Sequence, residues 1–367
     1  MSIRQKPPHS HQTNQIRLVA WEVTRSCNLK CRHCRASAGN GPYKDEFSTE
    51  ECEQVLTNIA SFAKPIVILT GGEPMLRPDI YHLAKLGTDL GLKMVMAPCG
   101  TFLTPLTCIQ LKMAGIQRIS LSLDGATART HDKFRGVEGA FTSVLAGAAA
   151  ARAAQLEFQI NTTVTRINVG ELSEIFELAK QIGAVSFHPF LLVPTGRGKQ
   201  LADFVLSAQE YERVLNWVYE KRGSEGISIK PTCAPHYYRV LRQREREAGR
   251  TVSYQSHGLD AVTRGCLGGH GFAFISHTGS VQMCGFLEKS AGNLRDTAMD
   301  FKAIWHESIF FKEIRNIANY KGRCGICKYR TVCGGCRARA FAISGNYYSE
   351  EPFCIYEPKV VEEKACE

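Results

Sequence analysis

The sequence lacks any apolar run near the ~20 residues that span a bilayer, and its opening, MSIRQKPPHSHQTNQ, has no apolar stretch behind its charges. A secretion signal and a membrane anchor are therefore not expected. No fixed short period recurs along the chain, which argues against solenoids and propellers. Dense Lys/Arg stripes interleaved with aromatics are also missing, as is any helix-turn-helix or RNA-binding signature. The net charge of +10, from 45 Lys and Arg against 35 Asp and Glu, thus points to an anionic small molecule or an acidic protein partner rather than to nucleic acid. With 44% apolar and 22% charged residues, the chain is too apolar for wholesale disorder. The expectation is a cytoplasmic protein with no membrane or nucleic-acid partner.

What the sequence has in excess is cysteine, 15 in 367 residues. A reducing cytosol does not sustain a disulfide framework, so metal binding is the natural use. Cys27, Cys31 and Cys34 fall within eight residues, and Cys266, Cys284, Cys324, Cys327, Cys333, Cys336 and Cys354 crowd the C-terminal quarter. The remaining five, Cys52, Cys99, Cys108, Cys233 and Cys366, read as small packing residues without a site role.

Between these groups short β-branched runs alternate with amphipathic stretches, the pattern of βα units on a parallel sheet. Six strands are expected, at Arg17-Val23, Ile66-Leu69, Lys93-Ala97, Arg118-Leu123, Phe158-Val164 and Val185-Leu192. Helices are expected at Thr49-Ala63, Asp79-Leu90, Pro105-Ala114, Ala140-Ala154, Val169-Ile182 and Ala208-Lys221. Four segments follow: a flexible tail over 1–16, an α/β body over 17–222, a polar linker over 223–265, and a small loop-rich module over 266–367. In the linker, Tyr237-Arg250 alternates in sign and reads as a solvated helix face that could cover a substrate. In the module, a hairpin (Phe272-His277, Val281-Cys284) and a helix near Met299-Ala318 are expected, held mainly by metal ligation.

The first cysteine group follows directly on the first strand, at the rim where βα barrels build their chemistry. Three cysteines at this spacing can hold three irons of a [4Fe–4S] cube and leave the fourth open. A zinc site would call for a fourth ligand, and none is near in sequence. With His33 just before Cys34, and Thr70-Gly71-Gly72-Glu73-Pro74 closing the second strand, the chain resembles the radical S-adenosylmethionine (SAM) superfamily. That resemblance implies a partial (β/α)6 barrel and a SAM-cleaving cluster on Cys27, Cys31 and Cys34. It further implies SAM contacts from Gly71, Gly72 and Glu73 to the methionine ammonium, from Ser122, Asp124 and Asn161 to carboxylate and ribose, and from His33 and the backbone near Leu191 and Leu192 to adenine.

Cys324-x2-Cys327-x5-Cys333-x2-Cys336 alone would also suit a zinc knuckle. With Cys266, Gly279, Cys284 and Cys354 it is similar to the SPASM extension, which implies one or two auxiliary [4Fe–4S] clusters. The implied sets are Cys324, Cys327, Cys333 and Cys354 for one and Cys266, Cys284 and Cys336 for the other. An eighth cysteine common in that extension, between the equivalents of Cys266 and Cys284, is absent. An open iron or a ligand from His270 or His277 is expected in its place.

The strings Trp21 to Ala36, Phe187 to Gly198, Cys333 to Ala340 and Glu351 to Cys354 resemble the tetrapyrrole-modifying branch of these enzymes, and within it the heme synthases. The implied reaction is oxidative decarboxylation of two propionates of iron-coproporphyrin III to vinyl groups, giving heme b, with an auxiliary cluster as a possible electron acceptor. The alternatives are a sister tetrapyrrole enzyme (a didecarboxysiroheme deacetylase or its heme d1 counterpart) and a SPASM peptide maturase. Reduced flavodoxin or ferredoxin is the expected electron donor. Arg35, Arg197, Arg337 and Arg339 are the expected propionate ligands, since charge-assisted bonds to carboxylates are strong.

Overall fold

The computed structural model describes residues 15–358; most of the expected tail, residues 1–14, and Cys366 lie outside them. Six parallel strands, β1 (Leu18–Thr24), β2 (Ile66–Gly71), β3 (Lys93–Met96), β4 (Arg118–Ser122), β5 (Glu157–Val164) and β6 (Ser186–Leu191), pair in chain order. Helices α1 (Thr49–Phe62), α2 (Ile80–Asp89), α3 (Pro105–Met113), α4 (Ala128–Arg135), α5 (Ala140–Ala153), α6 (Leu172–Gln181) and α7 (Ala208–Lys221) cover the outer face. Local chemistry fixes their starts. Ser48 with Glu51, and Ser207 with Glu210, form capping boxes on α1 and α7, satisfying backbone N–H groups that have no partner within the helix. Side chains along β5 alternate, with Phe158, Ile160, Thr162 and Val164 buried beneath the helices and Gln159, Asn161 and Thr163 on the other face, half-buried.

The remainder departs from the expected linker and module. Strand β7 (Ser228–Ile229) pairs parallel with β6, and α8 (Tyr237–Glu247) buries Tyr237, Tyr238, Val240 and Leu241. Its charges are not all solvated, because buried Arg239 pairs with Glu212 of α7 at 2.5 Å, which neutralises it inside the protein. After two short helices, α9 (Tyr254–His257) and α10 (Leu259–Val262), come β8 (Phe272–Ile275), β9 (Ser280–Cys284) and β10 (Leu287–Asn293). Strand β8 lies parallel to β1, in register from Leu18↔Phe272 to Trp21↔Ile275. The C-terminal hairpin therefore extends the barrel sheet, giving the order β10-β9-β8-β1-β2-β3-β4-β5-β6-β7. The run Phe-Ala-Phe-Ile suits such a place, since strands buried on both faces carry no polar alternation. The helix expected at Met299-Ala318 is broken at Ser308 into α11 (Phe301–Glu307) and α12 (Ile309–Arg315). The chain ends through α13 (Gly322–Ile326) and α14 (Arg337–Ser344).

Candidate functional site

The loop after β1 carries Cys27 and Cys31 buried and Cys34 half-buried, in one small apolar patch with Leu29, Ala36 and Ala38. Two sulfurs receive N–H groups: Leu29 N donates to Cys27 Sγ (3.4 Å) and Arg135 Nη1 to Cys31 Sγ (3.5 Å). Two neighbouring loops fix this one. From the end of β2, Gly72 N donates to Thr24 O and Glu73 N to Ser26 O, both at 2.8 Å. A Cβ on Gly71 would stand 2.2 Å from Thr24 O, and one on Gly72 2.2 Å from Ser26 O. The paired glycines thus let two backbones touch. From the end of β6, Arg197 N donates to Cys34 O (2.9 Å), while its side chain donates to Cys31 O (2.9 Å) and Ala38 O (2.5 Å).

The residues expected to meet SAM divide into two groups. Ser122 and Asn161 face each other across the β4–β5 ladder, and His188 follows across β5–β6. They form a polar row on one face of the sheet. His188, unsuspected from sequence, contacts Ser186 Oγ (2.9 Å) and Gln159 (3.4 Å), and burial holds it neutral, down to about 4. Glu73 is buried and accepts from Met75 N (2.9 Å) and Cys99 N (2.5 Å); burial raises its carboxyl above the ordinary value. The others are engaged within the protein. Asp124 is fully buried, paired with Arg135 at 2.7 Å and bonded to Thr163 N. Burial alone would neutralise Arg135, but Asp124 and Cys31 hold it charged, so Asp124 acts through a cation that touches a cluster-loop sulfur. The His33 ring stacks on Phe134, with centroids 4.6 Å apart, and burial, then Arg135, holds it well below the usual imidazole range. Leu192 O accepts from Tyr211 Oη (3.1 Å) and Arg339 Nε (3.3 Å).

Past the C-terminal end of β6, to which Arg339 links it through Leu191 O and Glu351, a cavity is lined by Cys324, Cys327, Cys333 and Cys354 together with His236 and Arg239. Backbone N–H groups reach three of these sulfurs, Glu351 N to Cys324 (3.3 Å), Tyr329 N to Cys327 and Gly335 N to Cys333 (both 3.4 Å). Four thiols with N–H donors around one cavity are the donor chemistry of a thiolate-held iron–sulfur group. Among the described residues no three Cys, His, Asp or Glu side chains meet at a point as a single-ion site requires. His236 is fully buried with both ring nitrogens unpartnered, and nothing in its sequence spacing marks it. Beside this group stand Cys266, Cys284 and Cys336. Burial pushes the Cys336 thiol up to about 11, with Cys266 adding to the rise. Of the two expected histidines, His277 has its Nδ1 3.5 Å from Glu22 of β1, while His270 is depressed to about 3 by burial, then by Arg264 and Arg315, and its Nε2 is buried without a hydrogen-bond partner.

Three of the four expected propionate arginines are committed internally. Arg197 holds the cysteine loop. Arg337 is buried and donates to Tyr347 O (3.0 Å), Ser349 O (2.6 Å) and Cys324 Sγ (3.6 Å). Arg339, with no exposure, bonds Glu351 (3.0 Å), Leu191 O (3.2 Å) and Cys233 O (2.6 Å). Arg35, like Arg197 half-buried, has a side chain 17% exposed, paired with Glu22 at 3.0 Å and lying 4.2 Å over the Phe274 ring.

Comparison with known proteins agrees with this layout. A family description of the radical SAM superfamily matches residues 21–179, and one of an iron–sulfur cluster-binding domain, SPASM, matches 266–337. An AdoMet-dependent heme synthase of Nitratidesulfovibrio vulgaris is 53% identical over 343 residues, 94% of this chain and 93% of that protein. An Fe-coproporphyrin III synthase of Methanosarcina barkeri is 30% identical over 92% of this chain and 87% of its own. Among solved structures, Streptococcus suis SuiB bound to S-adenosylmethionine superposes with a TM-score of 0.73 at 16% identity, covering 94% of this chain and 78% of that one; this likeness concerns the fold.

Proposed function

This chain belongs to the radical SAM superfamily and carries its SPASM iron–sulfur extension, and from that premise we propose that it makes heme b from iron-coproporphyrin III by converting two propionates to vinyl groups. It is an enzyme of radical SAM type, with SAM and a [4Fe–4S] cluster as cofactors and auxiliary iron–sulfur clusters in its SPASM part. The observation that carries the finer reading is the 53% identity, spread over 94% of the chain, with a protein named for heme synthesis, against 30% for the coproporphyrin-forming relative.

When bound and reduced, the SAM-site cluster supplies a 5′-deoxyadenosyl radical, which takes hydrogen from unactivated carbon. The chain's own residues then have three tasks. Cys27, Cys31 and Cys34 hold the cluster, while Gly72, Glu73 and Arg197 keep their loop in place. Ser122 and Asn161 face SAM from the sheet. Arg35, between the cysteine loop and the β8–β9 hairpin, meets a propionate. From each propionate carboxylate one hydrogen atom would pass to the 5′-deoxyadenosyl radical, CO2 would leave, and the one remaining electron would pass to an auxiliary cluster of the SPASM part. A reduced flavodoxin or ferredoxin serves as donor to the SAM-site cluster, and a reducing compartment such as the cytosol suits the unpaired thiols.

Anaerobic incubation of the reconstituted protein with SAM, reductant and iron-coproporphyrin III, followed by mass analysis, tests this reading. Loss of two CO2 and four hydrogen atoms supports it. SAM cleavage without that product, together with turnover of didecarboxysiroheme by loss of acetyl groups, would assign the sister reaction instead.

A further inference from the structure

We propose that Cys233 is the fourth ligand of the auxiliary cluster held by Cys266, Cys284 and Cys336, so that this cluster has neither an open iron nor a histidine ligand. The inference rests on the reading that those three cysteines hold a cluster at all.

Sequence spacing hides Cys233, which lies 33 residues before Cys266 in the supposed linker. The sheet brings it back. Beyond β7 the chain stays beside β6, with Thr232 N donating to Pro189 O (2.8 Å) and Leu191 N to Thr232 O (3.1 Å). Cys233 is thereby delivered to the barrel rim, where it takes a left-handed conformation at φ +54. For a non-glycine residue this is uncommon and must be held by its surroundings. Arg339 holds it, donating to the Cys233 carbonyl at 2.6 Å, and the same guanidinium pairs with Glu351, whose carboxylate accepts Cys336 N at 2.7 Å. One buried ion pair thus fixes the backbone of both cysteines.

Cys266 is tied to the same place. Its own N–H donates to Cys333 O (3.3 Å), and a Cβ on the preceding Gly265 would stand 2.6 Å from Pro235 O and 2.9 Å from Cys333 O. Three chain segments therefore meet there with no room for a side chain between them. The end of β9 reaches the same place, since a Cβ on Gly268 would stand 3.1 Å from Met283 O and 3.7 Å from Cys266 Sγ, which sets the residue before Cys284 beside Cys266. Four cysteines gathered from β7's extension, the approach to β8, the end of β9 and the start of α14 supply the full thiolate set of a [4Fe–4S] cube.

The test uses the full chain reconstituted anaerobically with ⁵⁷Fe, in the wild type and in Cys233→Ala, Cys233→Ser, Cys284→Ala and His277→Ala. Iron, sulfide, Mössbauer and electron paramagnetic resonance are the readouts. Cys233→Ala is expected to lose at least one iron per chain and to give a three-iron signal when oxidised, Cys233→Ser to keep four irons with shifted g-values, and His277→Ala to match the wild type. Unchanged iron and spectra in Cys233→Ala, while Cys284→Ala loses its cluster, would overturn the proposal alone. Unchanged iron and spectra in both would remove the underlying reading. Should the Cys233 variants not fold, the wild type still decides the matter. With SAM occupying the first cluster, added cyanide is expected to leave the reduced auxiliary signals unaltered, and a cyanide-dependent shift would reveal an open iron and reject the fourth thiolate.

Discussion

The three cysteines of the SAM site come from one loop of eight residues, whereas the two auxiliary sets are assembled from chain segments up to 103 residues apart, from Cys233 to Cys336. The first is a local object pinned by backbone contacts from β2 and β6. The second exists only after the hairpin, α14 and the β6 rim have packed together. Local sites tolerate distant damage, and assembled sites inherit every weakness of the fold that assembles them.

Cys31→Ala should abolish 5′-deoxyadenosine formation and leave auxiliary iron in place, which product chromatography and iron analysis will check; full SAM cleavage would sink the assignment of the SAM site. At the assembled end, Arg339→Met leaves Glu351 buried and unpaired, a change that costs about 3–5 kcal/mol. A urea midpoint lowered with unchanged slope, and loss of auxiliary iron before SAM-site iron, are expected. If both clusters fell together, the contrast between local and assembled sites would be lost.

Gly72→Ala presses a methyl toward Ser26 O and should cost about 1–3 kcal/mol of local packing, read as weaker SAM binding with auxiliary spectra unchanged. Glu22 joins the two regions, since it is buried in β1 and contacts Arg25 (2.7 Å), Arg35 (3.0 Å) and His277 of the hairpin (3.5 Å). Burial would raise its carboxyl, but Arg35 and Arg25, with His277, hold it below its ordinary value of 4.5. A carboxylate lowered in the folded state contributes stability that is complete above the unfolded value and lost as pH falls through the folded one. Melting of Glu22→Gln should therefore lose part of the wild type's decline below about pH 4.5, and an identical acid limb would show that Glu22 is not responsible. The smallest effect expected is a modest fall in cluster reduction rate by flavodoxin as salt screens the +10 charge; a rate indifferent to salt would rule out electrostatic docking.

The local half of the molecule could be read from the chain alone. Six strands were legible because β-branched runs alternate with amphipathic helices, and α7 begins where the Ser207 and Glu210 box marks it. The Cys27 loop was legible because its ligands are neighbours in sequence. Cys233 and His236 were not, because their partners arrive through sheet topology, which spacing does not encode. The internal bonds of Arg197, Arg337 and Arg339 were hidden for a related reason. Position beside a motif does not tell whether a guanidinium faces a ligand or, like Arg339, ties carbonyl groups together. Helix α8 misled because its alternating charge is neutralised across a contact with α7 that only the fold reveals.

The pairing of β8 with β1 also sets a clock. Trp21 lies beside Ile275, so during synthesis one edge of β1 waits for a partner made 254 residues later, roughly 13–50 s at 5–20 residues per second. An unpaired edge in that interval is a template for association with other chains. The nascent barrel thus carries an open edge until β8 is made, and ribosome-bound chains ending before Phe272 should be captured by a holdase, whereas those extending past Asn293 should escape it.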